Sequence, residues 1–431
     1  MSGIHPIFCK GSATALGITL VTSDFRLFLG GRFCAALALQ MQAVAVGWYL
    51  YDLTGNPLTL GYAGLAVFVP IALFTLPGGD AADRIDRRRI LAVAHAVLAA
   101  CAGLLMVLAY LRTAEPAPFY AVLALSGVAR AFSGPAMQSF VPFLVPRARF
   151  AAAVAWNSSV NQTGTVLGPA LGGAIYLLGA PVAFGACLGL SLLVALAMLA
   201  IRTRTPPARE GGSSALERAL AGMRYLRLQP VVLGAITLDL FAVLLGGITA
   251  LLPIYARDIL AVGPDGLGMM RSAIALGAVS MALLLANLPA QRQPHAGRAI
   301  FAGVALFGAA VLVFALSTSF VLSIGALVVA GAADMVSVYV RATVVQLGTP
   351  DQMRGRVSAV HMLFVGASNE LGEFRAGVVA AWLGAVPAAL AGGLATLAVV
   401  VVWTRLFPEL RRVARLADVA PASSGNREAD R

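Results

Sequence analysis

Three aspartates at three-residue intervals, Asp80, Asp83 and Asp86, stand among Arg84, Arg87, Arg88 and Arg89 in the stretch PGGDAADRIDRRRI, residues 77–90. Two chemistries suit that pattern. Magnesium takes few carboxylates when phosphate oxygens complete its shell, so the trio fits a membrane transferase that binds a diphosphate. Aspartates interleaved with arginines also make a latch of surface ion pairs. The four arginines compete for the carboxylates, and no second acidic cluster faces the first. The transferase is therefore the remote alternative, and the chain is read as a non-enzyme without a metal site.

The other charges of interest sit inside apolar runs: Arg32, Arg130, Asp239, Asp334, Arg341, Glu370, Glu373 and Arg375. A charge at bilayer depth is costly and normally faces a cavity or a partner. Asp239 lies nine residues into its run, about 13 Å along a helix rising 1.5 Å per residue. It is either a proton carrier or a carboxylate fixed by an interhelical hydrogen bond. Glu370 and Glu373, three apart, share a helix face. They are either proton sites or partners of an arginine on a neighbouring helix. Asn157 and Asn161 share a face four residues apart, and Gln40 lies in another run; these amides orient a substrate or cross-link helices. Gly164, Gly168, Pro169, Gly172 and Gly173 give one helix a small-residue face for close approach and a proline kink.

Positioning such groups requires membrane helices. The chain has 431 residues, 59% hydrophobic and 12% charged, with mean hydropathy +0.86. A soluble domain carries about 25% charged residues, so lipid must be the solvent for much of this surface. A spanning helix needs about 20 apolar residues. Apolar runs at 26–50, 58–76, 90–111, 119–141, 150–178, 181–201, 231–255, 266–288, 299–316, 320–346, 356–381 and 382–407 predict an all-α membrane protein of twelve transmembrane helices. The fifth and sixth runs, and the last two, are separated by so little that tight hairpins are expected. Net charge is +12, nearly all arginine. No basic surface helix or aromatic platform accompanies it, so nucleic acid is excluded. The arginines instead crowd into alternate loops, which places both termini and the 202–230 linker in the cytoplasm, against anionic lipid. Residues 215–228 have helix-spaced apolar positions and are expected to lie along the membrane surface. Residues 13–21 are too short to span, and no cleavage site comes after them, so 1–23 reads as a tail rather than a signal peptide. The cysteines Cys9, Cys34, Cys101 and Cys187 are scattered and read as free thiols.

The chain also repeats. A shift of 204 residues superposes Gly30 on Gly234, Tyr51 on Tyr255, Gly127 on Gly331, Ser133 on Ser337, Gly168 on Gly372 and Gly173 on Gly377. Register drifts between about residues 62 and 110. The expected domains are a tail (1–23), a six-helix half (24–201), a linker (202–230), a second half (231–407) and a second tail (408–431). Two parallel six-helix repeats place a substrate site near the midplane between them. The same shift carries Arg130 onto Asp334, so both face the central pathway or each is held in a static ion pair.

These residues resemble a known family. Gly79-Asp80-Ala81-Ala82-Asp83-Arg84-Ile85-Asp86-Arg87-Arg88 resembles the G-x-x-x-D-R-x-G-R-R signature of the major facilitator superfamily, with Asp86 in place of the motif's second glycine. Arg130-x-x-x-Gly134 is similar to its fourth-helix arginine motif, and Gly164 to Gly173 to the fifth-helix motif of its proton-driven exporters. Residues 41–57, 157–173 and 252–268 look more narrowly like the enterobactin-exporter-type branch, the transmembrane secretion effectors. The resemblance runs from about 24 to 412. It implies the major facilitator fold, with alternating access driven by inward proton flow and no cofactor. It implies that Gly79, Asp83, Arg84, Arg87 and Arg88 form a cytoplasmic gate, and that Arg130 assists proton coupling. The expectation is a functional monomer in the cell membrane exporting a siderophore, drug or metabolite. A facilitator or importer on the same fold is the alternative.

Overall fold

The computed structural model describes residues 22–205, 215–288 and 295–414, and every regular element among them is helical. The first half of the chain forms α1 (Ser23–Thr54), α2 (Pro57–Arg84), α3 (Arg87–Tyr110), α4 (Ala117–Leu144), α5 (Phe150–Tyr176) and α6 (Ala180–Ala200). A short α7 (Ala215–Arg227) comes next. Then come α8 (Pro230–Gly246), α9 (Leu252–Ile254), α10 (Gly263–Asn287), α11 (Ala296–Leu316), α12 (Phe320–Leu347), α13 (Asp351–Leu383), α14 (Ala385–Leu406) and α15 (Pro408–Arg412). Among the described residues, nine segments are long and apolar enough to cross a membrane. The helices α4, α5 and α13 are as long, at 28, 27 and 33 residues, but interrupt their apolar runs with polar side chains. Residues 1–21 and 415–431 of the expected tails fall outside the described residues, as do 206–214 of the linker and 289–294.

Local chemistry sets the helix ends. The Thr22 hydroxyl accepts from the Phe25 N–H at 3.3 Å and starts α1, while Gly55 at φ 60° stops it. Asn56 caps α2 through Leu58 N–H at 3.0 Å, with Pro57 in the first turn, where a missing N–H costs nothing. Gly179 and Gly384, at φ 109° and 90°, turn the α5–α6 and α13–α14 hairpins, where only glycine enters freely.

The duplication holds in space. α4 shifted by 204 residues falls on α12, α5 on α13 and α6 on α14. Packing repeats too: α3 lies on α6 and α2 on α4, just as α11 lies on α14 and α10 on α12. Between the two sets, α5 crosses α10 and α2 crosses α13.

Three expectations need correction. The charged stretch 77–90 is not a loop. α2 runs through Pro77 to Arg84, and only Ile85 and Asp86 interrupt the helix before α3. Asp86, which replaces a motif glycine, needs no special backbone: at φ −56° and ψ 115° it is the N-cap of α3, its Oδ1 accepting from Arg88 N–H at 3.2 Å. Second, the 231–255 run is not one continuous helix. It breaks after Gly246-Gly247, winds through a 3-10 turn (Thr249–Leu251) and α9, and ends in a π turn, Tyr255–Ile259. Adjacent glycines weaken a helix, and Pro253 lacks a backbone donor. Third, α7 does not rest on lipid alone. Leu226 is buried among Val357, Val360 and Leu410, and the Tyr225 hydroxyl donates to Gly348 O at 2.8 Å. α13 covers only part of its apolar face, since Leu220 and Met223 stay exposed.

Candidate functional site

A cavity of about 800 Å³ lies between the two sets of helices. We call the end of the bundle with Arg84, Arg147, Arg227 and Arg405 the arginine-rich face; Arg112 and Arg257 mark the far face. The cavity reaches from Arg32, His95 and Met137 in the arginine-rich third to Leu60, Ala250 and Pro253 near the far face. The broken backbone at Gly247, Ile248, Thr249 and Ala250 forms part of its wall. Non-helical backbone at membrane depth is tolerated where it lines such a cavity.

Four charges from three helices meet in its middle and far thirds. Glu370 and Glu373 of α13 line it, as do Arg130 of α4 and Arg271 of α10. Each arginine lies within electrostatic reach of both glutamates. A Cβ on Gly64 of α2 would stand 3.6 Å from a carboxylate oxygen of each glutamate, so both acids converge on one spot of the facing helix. Asp334 lines the same cavity from α12. Thus the arrangement joins acids and bases from both halves in one cavity. Arg271 and His95 were missed by the sequence reading. Each is a polar residue inside an apolar run, and that signal was available.

Other candidates are placed differently. Asp239 forms a buried ion pair with Arg341, each about 5% exposed. Arg375 turns away, donating from Nε to Leu244 O at 2.9 Å. Gln40 and Asn161 line the cavity. Asn157, one turn before Asn161, has a buried Oδ1 with no hydrogen-bond partner among the described residues.

The small face of α5 packs two ways at once. Cβ atoms on Gly164 and Gly168 would stand 2.6 Å from the Ala36 and Gln40 Cβ atoms of α1, and one on Gly172 would stand 2.8 Å from Met41 Cα. Gly173 and Pro169 face the other way. Gly173 abuts the Pro264 carbonyl, and Gly268 abuts Pro169 O, so α5 and α10 touch backbone to backbone. The motif residues on the arginine-rich face form a separate knot. Arg87 is buried; its Nη2 sits 3.7 Å from Asp83 Oδ1, its Nε donates to Ser139 Oγ at 3.0 Å, and its guanidinium covers the Phe143 ring. Arg88 donates to Ile201 O at 2.6 Å. Asp86 accepts from the Thr205 hydroxyl at 3.0 Å, and Asp24 from Thr203 N–H at 2.8 Å, so the start of the linker is pinned to α1 and α3. Gly79 meets open space and Arg84 ends α2.

At the far face the two halves are clasped. The Tyr51 hydroxyl of α1 donates to Asp258 in the π turn. Arg257 Nη1 donates to Tyr51 O at 3.0 Å, and Arg257 Nη2 lies 3.4 Å from Asp52. Val44, Tyr51 and Leu60 join the apolar cluster around Leu252 and Tyr255. The Arg257–Asp52 pair is partly exposed and contributes little; the Tyr51–Asp258 bond joins a buried tyrosine to a half-exposed carboxylate. Tyr51→Phe should therefore open this end more often. A Leu60→Cys probe should then react about fivefold or more faster with a polar thiol reagent added from the far side, as the loss of a hydrogen bond to a charged group allows. Unchanged labelling would mean that apolar packing alone holds the face shut.

Comparison with known proteins agrees with this geometry. The family model described as transmembrane secretion effector matches residues 19–424. The enterobactin exporter EntS of Escherichia coli O157:H7 is 25% identical over 410 residues, 93% of this chain and 96% of that protein. Macrolide efflux protein A of Streptococcus pyogenes is 26% identical over 152 residues, 35% of this chain and only 38% of that protein. Among solved structures, a bacterial homologue of the human lysosomal transporter Spinster, inward-facing and occupied, superposes with TM-score 0.70 at 15% identity, covering 90% of this chain and 96% of that one. The nucleoside transporter NupG gives TM-score 0.70 at 13% identity, with 90% and 99% covered. At such identities these two structures speak for the fold alone.

Proposed function

As a member of the transmembrane secretion effector family of the major facilitator superfamily, this chain is a multi-pass membrane transporter and not an enzyme; from that premise we propose that it exports a small organic molecule by proton-coupled alternating access. The observation that carries the proposal is the meeting of Glu370, Glu373, Arg130 and Arg271 in one cavity walled by both halves. Carboxylates that share a site with arginines can trade a proton for an ion pair as the walls move, which links proton flow to access. Asp334 is a second candidate carrier. Asp239, held by Arg341, has a structural role in this reading. Gln40 and Asn161 are substrate contacts, and Asn157 supports them from the preceding turn.

Export is favoured because both relatives named above carry names of outward transport. The two halves, 24–201 and 231–407, move as units about the 202–230 linker. The arginine-rich face is cytoplasmic, as the positive-inside pattern requires, in the cell membrane with both termini inside. With the far face clasped, this conformation is inward-facing. Asp83, Arg84, Arg87 and Arg88, with Gly79 at the α2 turn, latch the cytoplasmic end in the opposite state. The Gly164–Gly173 face serves as the exporter motif, seating α5 against α1 and α10. The transporter works as a monomer in lipid, needs no cofactor and draws on the proton gradient.

Comparing extracellular metabolites of a strain with and without the gene identifies the cargo, as a compound lost from the medium and retained inside. In everted vesicles, adding that cargo should move protons. Replacing both acids (Glu370→Gln with Glu373→Gln) should abolish that movement while the protein still inserts. Proton movement at the wild-type rate in this double variant would remove the pair as carriers.

A further inference from the structure

The charges of the cavity are unevenly compensated. In its middle and far thirds, arginines and glutamates offset one another. In the arginine-rich third the situation differs. Arg32 stands nine residues into α1 and His95 eight residues into α3, about 13 Å and about 12 Å from the same face at 1.5 Å per residue. They are therefore level, and they lie within electrostatic range of each other. Both line the cavity. No carboxylate among the described residues forms an ion pair with Arg32. Among the described residues its buried Nε has no hydrogen-bond partner, and neither does Nδ1 of His95, a residue only 5% exposed. Buried charges and polar groups are normally paired. Two donor-bearing side chains that line one cavity with no acidic partner beside them suit an oxygen-bearing anion. Leu98 and Met137 line the same part of the cavity, so the anion would be attached to an apolar body.

We propose that Arg32 and His95 form an anion subsite, and that the cargo is an amphiphilic organic anion, held by its carboxylate, phenolate, sulfonate or phosphate head in the arginine-rich third of the cavity. This rests on the transporter reading of the same cavity. A guanidinium presents a planar fork of donors that matches such heads, and His95 adds a donor from whichever ring nitrogen faces the cavity. The volume of about 800 Å³ is in the range that encloses a drug-sized ligand.

The test separates this assignment from transport itself. Binding of 1-naphthoate, 1-naphthamide and 1-naphthylmethylamine, which share one skeleton and differ in head charge, is measured on the purified protein in phosphatidylcholine nanodiscs. Naphthoate should bind more tightly than the other two. Arg32→Gln should weaken it about tenfold or more, as expected for a lost charge-assisted bond. His95→Gln should weaken it less, and Arg32→Lys should retain most of the preference for naphthoate. Equal binding of the three heads, tighter binding of the amine, absence of binding to any of them, or an unchanged naphthoate affinity in a folded Arg32→Gln protein would each overturn the assignment. Repeating the measurement with phosphatidylglycerol in the nanodisc distinguishes a dissolved anion from a lipid headgroup. Naphthoate binding that persists supports a cargo site, and binding lost to the anionic lipid overturns it. Selective binding without flux of any cargo in vesicles would instead sink the transporter reading and leave the subsite standing.

Discussion

Gly173→Val should sharply reduce transport while leaving the protein inserted and helical. The reason is geometric. The Gly173 position faces the Pro264 carbonyl, and a Cβ there would also come within 3.0 Å of Asp265 Cα. The obstacle is backbone, which cannot rotate aside as a side chain can. Overpacking of this kind costs about 1–3 kcal/mol, and here the cost falls on one conformation, the one in which α5 and α10 are in contact. The expected result is a loss of about tenfold or more in cargo efflux, with circular dichroism and membrane yield unchanged. Gly268→Val should do the same from the other helix, since Gly268 abuts Pro169 O. Gly189→Ala in α6 is the control: nothing lies within 4 Å of a Cβ there, so its effect should stay within about 0.5 kcal/mol. If Gly173→Val transports like the wild type, the α5–α10 seam does not need to close as tightly as drawn.

The second large effect concerns Asp239 and Arg341. Both side chains are about 5% exposed and they are bound to each other. Removing one partner of a buried pair leaves an uncompensated charge and costs about 3–5 kcal/mol. Asp239→Asn and Arg341→Gln should therefore each lower the melting temperature in detergent sharply and reduce the amount of inserted protein. Replacing both with apolar residues, Asp239→Met with Arg341→Leu, should restore much of what either single change loses, because no charge is left stranded. Restored transport in the double variant fixes the pair as structural. A double variant that folds like the wild type but moves no protons would return Asp239 to the proton path.

The contrast between Asp239 and Glu373 shows where a sequence stops being informative. Both are carboxylates in apolar runs, and each had a proton-carrying and a structural reading, Asp239 as a group fixed by an interhelical hydrogen bond and Glu373 as the partner of an arginine on a neighbouring helix. Asp239 meets Arg341 from α12, 102 positions away, and is sealed; Glu373 meets Arg130 and Arg271 across a cavity. Nothing local distinguishes them, because the partner arrives through helix packing. Arg271 went unnoticed for a related reason: no repeat partner or motif marked it. The α7 helix had a legible apolar face, but whether lipid or α13 covers that face depends on a contact with residues more than a hundred positions on. Asp86 is a further case. It stands where the motif it resembles has glycine, and it serves as a helix cap and an acceptor for Thr205.

Composition, periodicity and local geometry were enough to settle the general plan of the molecule. Apolar runs of spanning length required membrane helices, because lipid satisfies no backbone polar group. The 204-residue repeat required two similar halves, and the alternation of arginines distinguished the two faces. Packing alone decided which charges are sealed and which face the cavity, and which face is clasped. Those features depend on side chains from distant helices meeting at distances of a few ångströms, and a linear pattern carries no information about which helices become neighbours.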